Sequence, residues 1–278
     1  MATTTTAVTT NVFSGEVNSL RTVLNLLKSI HIKNIATCNI YDEGITFTVV
    51  ETHRVKAIAY IRRHMFEIYR KQQGQEVPTF GIGLNTLIDS LSLLGPASTP
   101  AADTCKIQYP STGTHLVISR DDRENDVSTH CRLVTLEPDS ENLELSLNDE
   151  PNLSQRAIMK SSWLKEAMSD LDKSCEKINM TFSPTDPCFS LTGEGNNGTF
   201  EMEYPEHSES FISFHCNEEA TYSYHFSHIV YCNKALDQSD EVSLRVSRDG
   251  VLSMLFRIQE SHVEFTMLPY DSSTTGDA

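Results

Sequence analysis

Three side chains in the last quarter of the chain stand at a spacing that can hold a metal ion. His225, His228 and Cys232 fall at i, i+3 and i+7, which on one continuous helix puts two imidazoles and a thiol on a single face, with His215 or Cys216 as a conceivable fourth ligand. No recognised zinc spacing joins them, and polar His beside semi-buried Cys on an amphipathic helix is the commoner meaning, so no metal is expected. A metal-dependent nuclease would need clustered carboxylates, and the minimal D-x-E pattern occurs at Asp122/Glu124 and Asp139/Glu141. Both pairs lie in acid-rich turns or linker, and so short a pattern recurs by chance, so they are read as solvated acids. The G-x-S-x-G elbow, the Walker A loop, the dinucleotide glycine fingerprint and H-E-x-x-H are all absent. No catalytic residue and no cofactor is assigned.

The cations are more informative. Arg62, Arg63, His64, Arg70 and Lys71, interleaved with Met65, Phe66 and Tyr69, suit nucleic acid and a solvated loop with an edge strand equally well. Opposite the apolar stripe of a first helix stand Arg21, Asn25 and Lys28, with Lys33 just beyond; the matching positions in the second half are Lys165, Ser169 and Asp172. A solvated face is the ordinary meaning of one such helix, but here a cation recurs at related sites in an acidic chain. Trp163, the lone Trp, is read as core or rim packing in preference to a stacking platform.

These side chains need elements to carry them. Asn18 to Ile30 places Leu20, Val23, Leu24, Leu27 and Ile30 at helical spacing after a strand over Val12 to Val17. Ala36 to Tyr41 and Ile45 to Val50 flank Asp42-Glu43-Gly44, the turn of a hairpin. Strands at Val55 to Ile61 and Val77 to Gly83 precede a helix over Leu84 to Leu94 that stops at Gly95-Pro96, and strands at Thr104 to Tyr109, His115 to Arg120 and Val127 to Leu136 close the half. The second half replays this order: strand, helix Ser162 to Leu171, a hairpin across Pro184-Thr185-Asp186, further strands, a helix Phe226 to Leu236 and three last strands. Leu164 follows Leu20 by 144 residues, while Phe226 follows Leu84 and Pro184 follows Asp42 by 142 each. Such agreement in element order points to a duplicated α+β unit. The expected organisation is a first domain over 12–136, a linker over 137–151, a second domain over 152–270 and a disordered tail over 271–278. The linker is acidic and carries Pro138 and Pro151, but the alternating Leu143, Leu145 and Leu147 suit a segment lying along the body.

Composition bounds the rest. The chain has 278 residues, 38% hydrophobic and 22% charged, enough for two cores and unlike a collagen, a coiled coil or a disordered chain. No apolar run approaches the roughly 18 to 20 residues of a membrane span, and the Thr-rich start lacks the basic and apolar regions of a secretion signal. The 7 Cys, odd in number and without C-x-x-C, read as free thiols. A net charge of -16 opposes general nucleic-acid binding, yet a locally basic surface on an acidic body can still meet phosphates.

The run Leu26-Leu27-Lys28-Ser29-Ile30-His31, with Ala36-Thr37-Cys38 and Gly44-Ile45 after it, resembles the Rad-one family of checkpoint sliding-clamp subunits. The resemblance continues through Leu84 to Ser92, Leu164 to Leu171, Met180 to Pro184, Tyr204-Pro205 and Phe214 to Asn217. Asp249 to Ser253 and Leu268-Pro269 are similar to the ending of proliferating cell nuclear antigen. The resemblance implies the DNA sliding clamp fold, two repeated domains each with antiparallel sheets and two helices. It also implies a nuclear, non-enzymatic role as one subunit of a heterotrimer with Rad-nine-like and Hus-one-like partners. A checkpoint clamp loader would place that ring on double-stranded DNA without sequence specificity, and repair and signalling proteins would dock on it. Arg21, Asn25, Lys28, Lys33 and Lys165 would then face DNA. Val127, Cys131, Leu133, Thr199 and Met202 would lie on the subunit edges, and Leu143, Leu145, Leu147, Thr266, Leu268 and Pro269 would build a partner groove. From another class, a metal-dependent 3'-5' exonuclease using Asp122 and Glu124 remains the alternative.

Overall fold

The computed structural model describes residues 11–72, 74, 77–94, 104–122, 126–139 and 153–271. In the first half, β1 (Asn11–Val17) leads into α1 (Leu20–Ser29). The strands β2 (Ile35–Ile40), β3 (Gly44–Glu51) and β4 (Val55–Arg62) follow. A 3-10 turn, Arg63–Met65, precedes β5 (Phe66–Lys71) and β6 (Phe80–Gly83), and then come α2 (Leu84–Leu94), β7 (Cys105–Pro110), β8 (His115–Asp122) and β9 (Val127–Val134). The second half runs β10 (Leu153–Lys160), α3 (Ser161–Asp170), β11 (Lys177–Phe182), β12 (Phe189–Gly195) and β13 (Gly198–Tyr204). It continues through β14 (Phe211–Cys216), β15 (Ala220–His225), α4 (Phe226–Val230), α5 (Asn233–Gln238), β16 (Glu241–Ser247), β17 (Leu252–Ile258) and β18 (Ser261–Met267).

Strand order repeats as element order does. The first half pairs β5-β1-β7-β8-β9 and β6-β2-β3-β4; the second pairs β14-β10-β16-β17-β18 and β15-β11-β12-β13. By packing, residues 49–59 group with the second unit although they precede its first strand in sequence. Within that unit the Leu268 N–H donates to the Arg54 carbonyl at 3.0 Å, tying the segment to the end of the chain.

Local chemistry explains the helices that matter for function. Ser19 caps α1 by accepting from the Thr22 N–H at 3.3 Å, and Lys28 sits in the last turn, where the carbonyl end of the helix dipole favours a cation. Leu20, Val23, Leu26 and Leu27 are buried, each stabilising the fold by about 1.5–3 kcal/mol relative to exposure. The face left over is the polar one. The last helix of the second half is broken. The Tyr231 and Cys232 N–H groups bond to the carbonyls of His228 and Ile229, three residues back, before Leu236 returns to the i−4 partner Cys232. This tightening divides the expected helix over Phe226 to Leu236 into α4 and α5.

Close approach fixes one glycine. The Gly81 and Leu136 amides exchange hydrogen bonds of 2.8 Å, and a Cβ on Gly81 would stand 2.3 Å from the Glu137 carbonyl oxygen. Residues 137–139 therefore lie against β6 and β2, where the Asp139 N–H donates to Thr37 Oγ1 at 3.2 Å. Leu143, Leu145 and Leu147, like Glu124, Glu141 and the tail beyond Asp271, lie outside the described residues.

Candidate functional site

On α1 the side chains of Arg21 and Lys28 are exposed and Asn25 is half-buried, all on the side opposite the core stripe. α2 packs beside α1 and shows solvent Asn85, Asp89, Ser92 and Leu93, with no cation. In the second half α3 packs beside α5, and here each exposed cation has acids for company. Lys165 pairs with Asp237 at 2.6 Å, Glu166 and Asp170 lie on the same helix, and the exposed Lys234 stands one turn before Asp237. Positive charge is thus concentrated on α1 instead of being shared evenly between the halves. Two expected positions differ. Lys33 is held by Asp139 at 3.0 Å. Asp172 lies beyond the end of α3 and accepts from the Ser174 N–H at 2.9 Å and Asn197 Nδ2 at 2.7 Å, bonds that hold its carboxyl below the usual range. Sequence does not single out Lys234, because an unbroken helix gives it no distinct face.

Among the described residues β9 and β13 are two of the strands that end a strand order. β9 pairs with β8 on one side only and exposes Val127, His130, Arg132 and Val134, with Cys131 half-buried. β13 pairs with β12 on one side only and exposes Thr199, Glu201 and Glu203, with Met202 half-buried. One edge is therefore cationic and the other anionic. Leu133, expected to meet a neighbour, has its side chain turned inward and 6% exposed, because alternation along β9 sends that position to the core. Its contribution to an edge can only be through the backbone.

A family model for the repair proteins Rad1/Rec1/Rad17 matches residues 12–258. The chain belongs to this Rad1 family. It is 32% identical over 257 residues to the human cell cycle checkpoint protein RAD1, covering 92% of this chain and 89% of that protein. It is 28% identical over 284 residues to the DNA damage checkpoint control protein rad1 of Schizosaccharomyces pombe, covering 93% and 87%. A DNA polymerase sliding clamp of Thermococcus fumicolans is 27% identical over 132 residues, 47% of this chain and 52% of that one. The α+β architecture is the sliding clamp fold, as the resemblance implied.

Near the end of this Rad1-family chain, side chains far apart in sequence come together. Leu268 and Pro269 are half-buried, while Thr266 is 4% exposed although alternation sets it on the same face of β18 as Glu264, opposite the core-facing Val263, Phe265 and Met267. Beyond them Tyr270 is anchored: its hydroxyl donates to Glu176 at 2.9 Å, its N–H donates to the Ser223 carbonyl at 2.7 Å, and its ring lies 4.5 Å from His225. His225 in turn lies 4.9 Å from His228. The Cys232 thiol is buried and turned to the Met254 sulfur at 3.8 Å, because the helix break takes it off the face shared by the two imidazoles. Among the described residues no three His, Cys, Asp or Glu side chains are gathered for a metal. Burial first, then the neighbouring His225 and Arg54 charges, push the His228 pKa down to about 4. In the unfolded chain the same group titrates near 6.5. The neutral folded form therefore contributes stability that is complete above about pH 6.5 and lost as pH falls through about 4. The urea midpoint of the native chain is expected to fall more steeply between those values than that of His228→Leu; parallel curves would contradict the assignment.

Proposed function

We propose that the chain is one non-catalytic subunit of a heterotrimeric ring that encloses double-stranded DNA at damage sites in the nucleus. The ring is closed with Rad-nine-like and Hus-one-like subunits, is placed on DNA by a checkpoint clamp loader, and carries repair and signalling proteins. The observation that carries this reading is the pair of one-sided strands, β9 and β13, in a chain of the Rad1 family. A ring needs two such edges per subunit. Backbone pairing supplies adhesion, while side chains choose the neighbour: the partner strand on β9 should bring carboxylates to His130 and Arg132, and the one on β13 cations to Glu201 and Glu203.

Arg21, Asn25 and Lys28 of α1 face the phosphates, with Lys165 and Lys33 able to exchange a carboxylate partner for a phosphate. Persistence comes from enclosure, so loose, sequence-independent contacts suffice. The half-buried Leu268 and Pro269 are proposed as partner-groove residues. The nuclease alternative through Asp122 and Glu124 finds little support in a chain of the Rad1 family that is also similar to sliding clamps. Native mass spectrometry of the chain mixed with the two partner subunits tests the reading. A one-to-one-to-one complex is expected, and a chain that stays alone or assembles only with itself would refute it.

A further inference from the structure

Duplication gives the molecule two corresponding outer strands with opposite surface chemistry. β5 and β14 each occupy the far end of a strand order from β9 and β18. β5 carries Glu67, Arg70 and Lys71, the kind of charges that keep an open edge from pairing with a stray strand. β14 reads Phe-Ile-Ser-Phe-His-Cys over Phe211–Cys216, without a carboxylate, a lysine or an arginine. Among the described residues no strand pairs with its outer side, and Ile212 is 50% exposed at an irregularity in the ladder to β10. Behind the edge runs an aromatic row. Phe214 lies 5.4 Å from Phe211, which lies 6.4 Å from both Tyr204 and the fully buried Phe189. The outer two rings of that row are half-exposed.

Both ends of the edge are acidic. Glu206 and Glu209 stand exposed before β14, and Glu218 and Glu219 after it. The latter corner is held in place, because Gln155, buried on β10 opposite Cys216, donates from Nε2 to the Glu218 carbonyl at 2.8 Å. A second copy of this chain fits badly, since pairing two β14 edges in either direction brings glutamates against glutamates. DNA fits badly for the same reason.

We propose that β14 is a docking edge for an extended peptide segment of a partner protein, apolar at alternate positions and flanked on both sides by lysine or arginine. The segment adds a strand outside β14, its apolar side chains cover Phe211 and Phe214, and its cations meet the glutamate pairs. Six residues of strand span about 20 Å, so the cationic ends must be about that far apart.

The test uses the full chain and a fluorescein-labelled probe in which valine and threonine alternate over six residues between paired lysines. The lysine probe is expected to bind at least about tenfold more tightly than the same peptide with paired glutamates. Methylating the probe's alternate backbone nitrogens should abolish binding in one of the two registers, because a strand needs its N–H groups. Glu218→Lys with Glu219→Lys, which touches no core position, should narrow the preference for lysine, and Ile212→Lys should weaken the lysine probe without shifting the urea midpoint. Equal affinity for the two probes, or binding indifferent to methylation in both registers and to the charge reversals, would overturn the proposal. So would a chain that dimerises through this edge, loses the dimer on Ile212→Lys and ignores the probe.

Discussion

Met202→Pro on β13 is expected to lower assembly with one neighbouring subunit by at least about tenfold, and Arg132→Pro on β9 to do the same for the other neighbour. Each strand pairs on one side only, Met202 lying opposite Leu191 and Arg132 opposite Val117. A proline in an edge strand removes one donor and disturbs its flanks, and each missing bond costs about 0.5–1.5 kcal/mol. Arg132 is a better test position than Leu133, because the Leu133 side chain is part of the core, where proline would damage folding before it damaged assembly. Successive amides of a strand point to opposite sides, so Cys131→Pro and Glu201→Pro serve as companions that separate the outward register from the inward one. Glu201→Lys with Glu203→Lys leaves the backbone untouched and should weaken the same neighbour as Met202→Pro. Subunit-by-subunit capture, with the urea midpoint as folding control, reads the outcome. If folded variants at both edges captured both partners as the native chain does, the edges would not be the ring contacts.

Removing Arg21, Lys28 and Lys165 together as alanines should lower loading onto DNA about tenfold or more at low salt, while rings already closed on a circle stay enclosed. It should also flatten the salt dependence by up to about 0.9 in log-log slope for each phosphate that is no longer neutralised. The effect should be unequal. Arg21 and Lys28 stand exposed on α1 with no acid on their helix, whereas Lys165 is shared with Asp237 at 2.6 Å. That pair is exposed and of the kind worth about 0–1 kcal/mol, so Lys165 can change partners, but each exchange offsets part of the phosphate gain. Arg21→Ala with Lys28→Ala should therefore account for most of the loss. Ring assembly should not change, because neither residue lies on β9 or β13. A salt titration in which the triple variant matched the native complex would leave these side chains as a solvated helix face and nothing more.

How much of this is legible in the sequence depends on whether the cause is local. The stripe of α1 and the bounds of α2 follow from apolar spacing, and Leu84–Leu94 is the helix that spacing gives. The hairpin turn at Gly44 is equally local, its φ being +146°, although the 2.3 Å from a Cβ there to the Ile61 carbonyl oxygen is a constraint set by β4 that the turn sequence does not show. β5 is harder to assign, since Arg70 and Lys71 make an edge strand resemble a loop until β1 is seen beside it. The break between α4 and α5 leaves no trace in hydrophobic period, because Ile229 and Leu236 are buried on either side of it. Candidate site residues are legible as types more than as environments. Arg21 and Lys28 need only their helix, but the pairing of Lys33 with Asp139 and of Lys165 with Asp237 joins residues far apart in sequence. Along β9 the alternation can be placed only with the sheet in hand, and it sends Leu133 inward; Thr266 is buried although it lies on the face of β18 opposite Phe265 and Met267, which period alone does not give.

Enclosure is tested most directly by cutting the DNA. The complete ring is loaded on closed circular duplex and washed in salt high enough to screen phosphate contacts, and the fraction retained is measured before and after the circle is linearised with free ends. A subunit of an encircling ring should remain on the closed circle and leave once ends are available. Equal retention on circular and linear DNA, or release from the closed circle by salt alone, would contradict the reading of this chain as part of a closed ring.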